Sequence, residues 1–345
     1  RLLGDARYPA RNIDQNIADL KAQIAANEKG VQELGAMVRH FGLDVVHAYM
    51  RHVQNNAEAC VRDLITGLDA GQFSYAMDDG KHISVRVQPH PDERTLDVDF
   101  SGSSPQSEDN FNAPSAVSRA AVLYVLRTLI DDRIPLNEGC LKSINLTVPE
   151  NSLLNPEPPA PVVAGNVETS QCVTDSLYGA LGVMAASQGT MNNLTFGNAR
   201  HQYYETICGG AGAGDGFDGA DAVHTHMTNS RLTDPEVLEW RFPVRIERFE
   251  IRRGSGGRGA FRGGDGVVRA LQFDEAMTVS LLSGHRVVPP YGLNGGDDGL
   301  CGRNWIRRAD GTEHELCGTD RVEVQPGDTL VIETPGGGGY GQARS

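Results

Sequence analysis

The spacing of apolar residues changes once, near residue 70, and that change dictates the order in which helices and strands are laid down. Ile17, Leu20, Ile24, Val31, Leu34 and Val38 recur close to the period of a helix until Phe41-Gly42 stops the run. Asn12 followed by Gln15 gives a capping signal ahead of it. A second helix is expected from about Asp44 to Leu68, with Val45, Tyr49, Val53, Cys60, Val61 and Leu64 near one face. Two helices joined at one glycine predict an antiparallel hairpin whose role is packing.

From Gly71 the period shortens to two. His82 to Val87 and Thr95 to Phe100 alternate as strands, and Pro89-His90-Pro91-Asp92 supplies the turn that pairs them. Pro114 suits the first turn of a helix reaching Leu129. A short strand near Ile144 to Val148, a Pro-rich extended connector from Pro149 to Pro161 and a helix over Gln171 to Ala186 follow. Beyond Tyr203 the reading is strand and turn: Val244 to Ile251, Val267 to Phe273, Met277 to Leu282, Val322 to Val324 and Leu330 to Glu333, with Asp310-Gly311 as a hairpin signal. The expected fold class is α+β, with a helical hairpin over 1–70, a mixed α/β region over 71–200 and a β-rich, glycine-rich region over 201–345, joined as one continuous unit.

At 345 residues and 39% hydrophobic the chain can bury a substantial core. A formal charge of -14 argues against nucleic acid or an anionic membrane surface as partner, since both attract basic patches. No apolar run approaches the roughly 20 residues that span a bilayer, so a cytoplasmic protein is expected. The first residue is Arg1, which suggests a chain that starts inside a longer protein. Cysteines at 60, 140, 172, 208, 301 and 317 form no C-x-x-C and read as reduced thiols, with Cys172 as a nucleophile or as a small buried apolar residue.

The block from Val162 to Ala199 is crowded with amides, hydroxyls and glycines, and Glu168 and Asp175 are its only charges. Half-buried neutral amides need partners. A ligand can provide them, which makes Asn166, Gln171, Asn192 and Asn193 candidates for reading substrate; alternatively they satisfy the backbone of tightly turned loops. Glu168 is a candidate general acid or base if burial raises its pKa, or else a favourable charge at a helix N-terminus. From Val223 to Glu236 ionisable groups concentrate again. On an extended strand His224 and His226 would share a face, able to transfer protons or hold a metal, with Asp234 or Glu236 as later partners, or else cap loop backbone.

G-x-G-x-x-G occurs three times, at Gly214, Gly254 and Gly336, none followed by a convincing helix. The four lysines, at 21, 29, 81 and 142, lie away from these loops, and a nucleotide loop is not expected here. Gly336 to Gly339 reads equally as a flexible tail or as an ordered loop approached closely by backbone or ligand.

Taken together, Asp99-Phe100-Ser101-Gly102, Phe111-Asn112-Ala113-Pro114, Ile134 to Cys140, Gly165 to Gln171, Ala186 to Asn193, His224 to Asn229 and the glycine-rich tail resemble the hydantoinase B/oxoprolinase family over essentially the whole chain. Asp234 to Glu239 followed by Arg252 to Gly257 is closest to its ATP-dependent oxoprolinase branch. The resemblance implies ATP-dependent hydrolysis of 5-oxo-L-proline to L-glutamate, with ATP bound on a hydantoinase A-like partner subunit or domain and not on this chain. It also implies a small cyclic-amide substrate met by neutral Asn and Gln side chains, Asn229 among them, a general base for water drawn from His224, His226, Glu168 and Asp234, and an oligomer. A divalent metal is expected mainly on the upstream segment that family members carry and this chain does not. The alternatives are a hydantoinase or ketone-carboxylase B subunit, and a non-catalytic assembly module that docks the ATP-binding half.

Overall fold

The computed structural model describes residues 2–5, 10, 12–131, 134–228 and 230–343. The chain divides into two compact units, Arg1–Cys60 with Arg133–Lys142, and Val61–Asp132 with Ser143–Ser345. Helix α1 spans Ile13–Phe41, and Asn12 caps it as expected, its Oδ1 accepting from Gln15 N–H at 3.2 Å. Gly42, at φ 83°, separates it from α2, Leu43–Ile65. The expected antiparallel packing of α1 on α2 is corrected: the two helices do not pack along each other. No residue of α1 is buried, and Leu20, Ile24, Val31 and Leu34 are 47% to 69% exposed.

In the larger unit, β1 (Gly71–Ala76), β2 (His82–His90), β3 (Thr95–Asp99) and β4 (Ile144–Thr147) form one sheet in that order. The β2–β3 hairpin forms, but its turn falls at residues 91–94 because Pro89 and His90, expected in the turn, belong to β2 and pair with Leu96 and Thr95; β3 and β4 run parallel. Helices α3 (Ser115–Thr128) and α4 (Ser170–Leu181) pack on each other, and α4 packs on β1 and β2. The α4 helix ends five residues earlier than expected because Gly182 adopts a left-handed cap.

The remaining strands build two antiparallel sheets. One has the order β11 (Glu313–Leu316), β10 (Arg303–Arg307), β13 (Thr329–Glu333), β8 (Gly266–Phe273), β7 (Val244–Arg252). The other runs β12 (Thr319–Val324), β9 (Met277–Leu282), β5 (Asn193–Gly197), β6 (Gln202–Glu205). Phe196, Val279 and Leu281 of the second meet Leu271, Phe273, Ile306 and Leu330 of the first in one buried core. Asp310-Gly311 turns β10 into β11 as its sequence signals. Inside this region Arg269 and Glu205 form a fully buried two-bond ion pair at 2.8 and 3.1 Å. Helix α5, Pro235–Arg241, precedes β7.

The glycine motifs find their explanation in backbone packing. Gly337 N–H donates to Gly264 O, Gly264 N–H to Ala211 O, Ala213 N–H to Gly338 O and Gly338 N–H to Ala186 O. The three G-x-G-x-x-G segments thus lie in one layer of chains too close for side chains: a Cβ on Gly338 would sit 1.9 Å from Tyr291 O. These amides are already bonded and do not form a phosphate cradle. The Gly336 to Gly339 tail is buried and hydrogen-bonded.

Candidate active site

A cavity of about 480 Å³ opens beside α4, lined by Tyr75, Asp78, Glu168, Cys172, His285 and Arg286 among others. Its walls come from places far apart in sequence, among them the end of β1 and the turn after it, the approach to α4, residues 283–287 after β9, and residues 302–304 and 315–319. Gly189 closes one side at φ +61°, and a Cβ there would lie 2.2 Å from His285 Nε2.

Glu168 sits in a wide π-type turn, Gly165–Thr169, that leads into α4 and carries the carboxyl inward, 1% exposed. Its Oε1 accepts from Thr190 Oγ1 at 2.9 Å, Met191 N–H at 3.1 Å and Asn193 Nδ2 at 2.7 Å. Oε2 takes no hydrogen bond from the described residues and faces Gly284 at the cavity wall. Burial raises the carboxyl to about 8; the three donors and the nearby Arg286 pull against it and lose. Glu168 is therefore a carboxyl held in one orientation and able to exchange a proton near neutral pH.

Arg286 is the buried cation of the site. It donates to Gly284 O at 2.6 Å, Asn192 Oδ1 at 2.8 Å and Asn304 Oδ1 at 3.0 Å, leaving Nε buried without a partner among the described residues. Burial lowers its pKa to about 10, so it stays charged at neutral pH. Asp78 fastens the loop that carries it, accepting from the N–H groups of Arg286 at 2.6 Å, Val287 at 3.1 Å and Val288 at 2.8 Å. His285 Nδ1 lies 2.6 Å from Val288 O. A carbonyl only accepts, so Nδ1 carries the proton and Nε2 accepts from the Tyr75 hydroxyl. Burial depresses the His285 pKa, and the ring is neutral at neutral pH. Burial also pushes the Cys172 thiol well up, which favours its reading as a small buried residue over a thiolate nucleophile.

Of the residues singled out from sequence, Glu168 lines the cavity, and Asn192 and Asn193 stand directly behind it. Asn193 bonds Glu168, Leu282 O and Tyr204; Asn192 bonds Gln188, Ile207 O and Arg286. These two amides hold the charged groups in place and have their polar atoms engaged within the protein. Asn166 is exposed. Gln171 is buried and donates to Thr225 O at 2.9 Å. Asp234 caps α5, accepting from Glu236 and Val237 N–H, and does not line the cavity. Asn229 lies outside the described residues.

His224 and His226 do not share a strand face, which corrects that expectation: residues 224–226 form no strand, and His226 is left-handed at φ 60°. The His226 ring lies against Tyr124 and Tyr178, with Nε2 3.2 Å from Asp175 Oδ1 and Nδ1 3.4 Å from Tyr124 OH. Burial lowers the His224 pKa. Neither histidine is among the residues lining the cavity. No three His, Cys, Asp or Glu side chains among the described residues are grouped to hold a metal, so the residues present do not fit one. Arg286, Asp78, His285 and Tyr75 escaped the sequence reading. Their one signal is a polar Gly284-His285-Arg286 directly behind the apolar strand β9.

Comparison with known proteins agrees with this architecture. The sequence model of "Hydantoinase B/oxoprolinase" matches residues 3–343. The chain is 45% identical to a 5-oxoprolinase of Dictyostelium discoideum, across 97% of this chain and 27% of that protein. It is likewise 45% identical to 5-oxoprolinase 1 of Arabidopsis thaliana, across 96% of this chain and 27% of that one. The chain thus spans about a quarter of the length of these curated relatives. The crystal structure of the ATP-dependent caprolactamase from Pseudomonas jessenii superposes with a TM-score of 0.83 at 25% identity, covering 99% of this chain and 63% of that one. No described helix is long and apolar enough to cross a membrane.

Proposed function

We propose that this chain, which belongs to the hydantoinase B/oxoprolinase family, is the B-like part of an ATP-dependent cyclic-amide hydrolase and opens the lactam ring of 5-oxo-L-proline to give L-glutamate. The observation that carries the reading is Glu168: a buried carboxyl pinned through Oε1, bare at Oε2 and raised to about 8, facing a cavity that also holds a buried arginine. Relatives of matching sequence bear the name 5-oxoprolinase, which supports the substrate. In this reading ATP is bound and used by an A-like partner, and a divalent metal is held mainly by the upstream segment of the B-like half; the described residues group no three His, Cys, Asp or Glu side chains for one.

The chain's own residues divide the work as follows. Glu168 Oε2 takes a proton from water as the water oxygen bonds to the ring carbonyl carbon. Arg286 faces the negative charge that develops on the carbonyl oxygen. As the ring C–N bond breaks, the nitrogen takes the proton back from Glu168, so the ring opening consumes one water and forms one amine and one carboxyl, and the ATP cleaved to ADP and phosphate with the A-like partner consumes a second water and drives the opening. His285 and Tyr75, locked to each other and to Val288, keep the cavity wall rigid.

The test is glutamate release from 5-oxoproline by the chain combined with an A-like half. Wild type is expected to turn over with an acidic limb near pH 8, because the base form of Glu168 accumulates as pH rises through about 8. Glu168→Gln should lose on the order of a hundredfold or more in kcat while the two halves still assemble. Hydrolysis of a hydantoin with 5-oxoproline untouched would replace the substrate assigned here, and full turnover by Glu168→Gln would leave an assembly role only.

A further inference from the structure

Gln171 and Asp175 of α4 and residues 224–226, none of which lines the cavity, group buried polar side-chain atoms that have no hydrogen-bond partner among the described residues. Among the described residues, eleven buried side-chain nitrogen or oxygen atoms lack a hydrogen-bond partner. Six of them belong to one patch: Gln171 Oε1, Asp175 Oδ2, both ring nitrogens of His224, Thr225 Oγ1 and His226 Nε2. Gln171 and Asp175 are fully buried and one helical turn apart on α4, so they present to the same side. The facing segment is 224–226, tied to them by Gln171 Nε2 donating to Thr225 O at 2.9 Å and by His226 Nε2 at 3.2 Å from Asp175 Oδ1, too far out of line for a hydrogen bond. Thr225 is itself 6% exposed. Native proteins rarely leave so many polar atoms unpaired, and still more rarely side by side.

The chemistry of the orphans selects the occupant. Asp175 Oδ2 and Gln171 Oε1 can only accept hydrogen bonds, Thr225 Oγ1 can accept, and a neutral imidazole offers one acceptor nitrogen. An anion would meet an acidic oxygen and find few donors. A group that carries several N–H donors on a small cationic centre satisfies the three acceptors Asp175 Oδ2, Gln171 Oε1 and Thr225 Oγ1.

We propose that the Gln171–Asp175 face of α4 and residues 224–226 form a binding site for an ammonium group, with Asp175 Oδ2, Gln171 Oε1 and Thr225 Oγ1 as its acceptors. The group is carried either by free ammonium ion or by the amine of a small amino acid. The site stands independently of the reaction assigned to the Glu168 cavity.

Calorimetric titration of the whole chain with ammonium chloride, with glycine and with tetramethylammonium chloride tests it. Saturable binding, one per chain, is expected for ammonium or for glycine, and which of the two binds identifies the source. Tetramethylammonium, with the same charge and no N–H, should not bind. Asp175→Asn should weaken binding at least about tenfold, and Thr225→Val severalfold. Thr225→Val, which keeps the side-chain shape, serves as the readout if Asp175→Asn does not fold. Absence of saturable binding of either ligand overturns the site, as does equal binding of tetramethylammonium or unchanged affinity in the variants that fold.

Discussion

Glu168→Gln should make the fold less sensitive to alkali, and the size of the effect follows from the environment of the carboxyl. In the unfolded chain this group titrates near 4.5; in the native structure burial raises it to about 8. The native state thus holds the proton more tightly than the unfolded state. Its contribution is fully present below about pH 4.5, erodes as pH climbs, and is lost once pH passes about 8. At 1.36 kcal/mol per pKa unit, the span from 4.5 to about 8 is worth about 5 kcal/mol in all, of which about 4 kcal/mol falls between about pH 5 and about pH 9. Glutamine keeps an oxygen to accept from Thr190, Met191 and Asn193 and has nothing to ionise.

The observable is therefore a difference of differences. Urea denaturation of wild type and variant at about pH 5, 7 and 9 gives the stability of each. Any constant cost of the amide appears equally at all three, whereas the advantage of Gln over Glu should grow by about 4 kcal/mol from the lowest pH to the highest. If the two curves stay parallel, Glu168 is not raised by burial and its role as a base near neutral pH goes with it.

Three further outcomes follow from particular contacts. Arg269→Met leaves Glu205 buried without its partner and should cost about 3–5 kcal/mol in urea denaturation, most of it recovered when Glu205→Met is added. Gly338→Ala puts a Cβ 1.9 Å from Tyr291 O, inside a layer that has no room to shift, and should cost at least about 3 kcal/mol or prevent folding, read by thermal unfolding. Asp234→Ala removes the cap of α5 and should cost about 1 kcal/mol while lactam turnover by the assembled enzyme stays at the wild-type level; a large loss of turnover would return Asp234 to the site.

The fold could be read from sequence where one face of an element is apolar and the other polar. The α1, β2, β3 and β9 elements lie close to where their periods place them. The misses share a cause. Strand β5 begins at Asn193, inside the amide block, and β10 and β11 carry charged residues on the face turned away from the core, so neither announces itself by an apolar run. The α1 helix shows the converse. Its apolar seam has the right period and still buries no residue in this structure, because periodicity reports which face can be covered and not what covers it.

The site divides along a similar line. Glu168 stands out as one of two charges, with Asp175, in a block of neutral side chains, and that same neutrality explains its behaviour. With hydroxyl and amide donors and only one buried arginine nearby, too little positive charge surrounds the carboxyl to offset its desolvation. The amides next to it, read as candidates to touch substrate, are the means by which its orientation and that of Arg286 are held. Arg286, His285 and Asp78 were invisible because their meaning is entirely non-local. Asp78 lies 208 residues from the arginine whose loop it fastens, and no spacing rule connects a turn after β1 to a loop after β9. The composition of the amide block thus encodes the electrostatic setting of the site, and the tertiary packing of two distant loops supplies the charge that the chemistry needs.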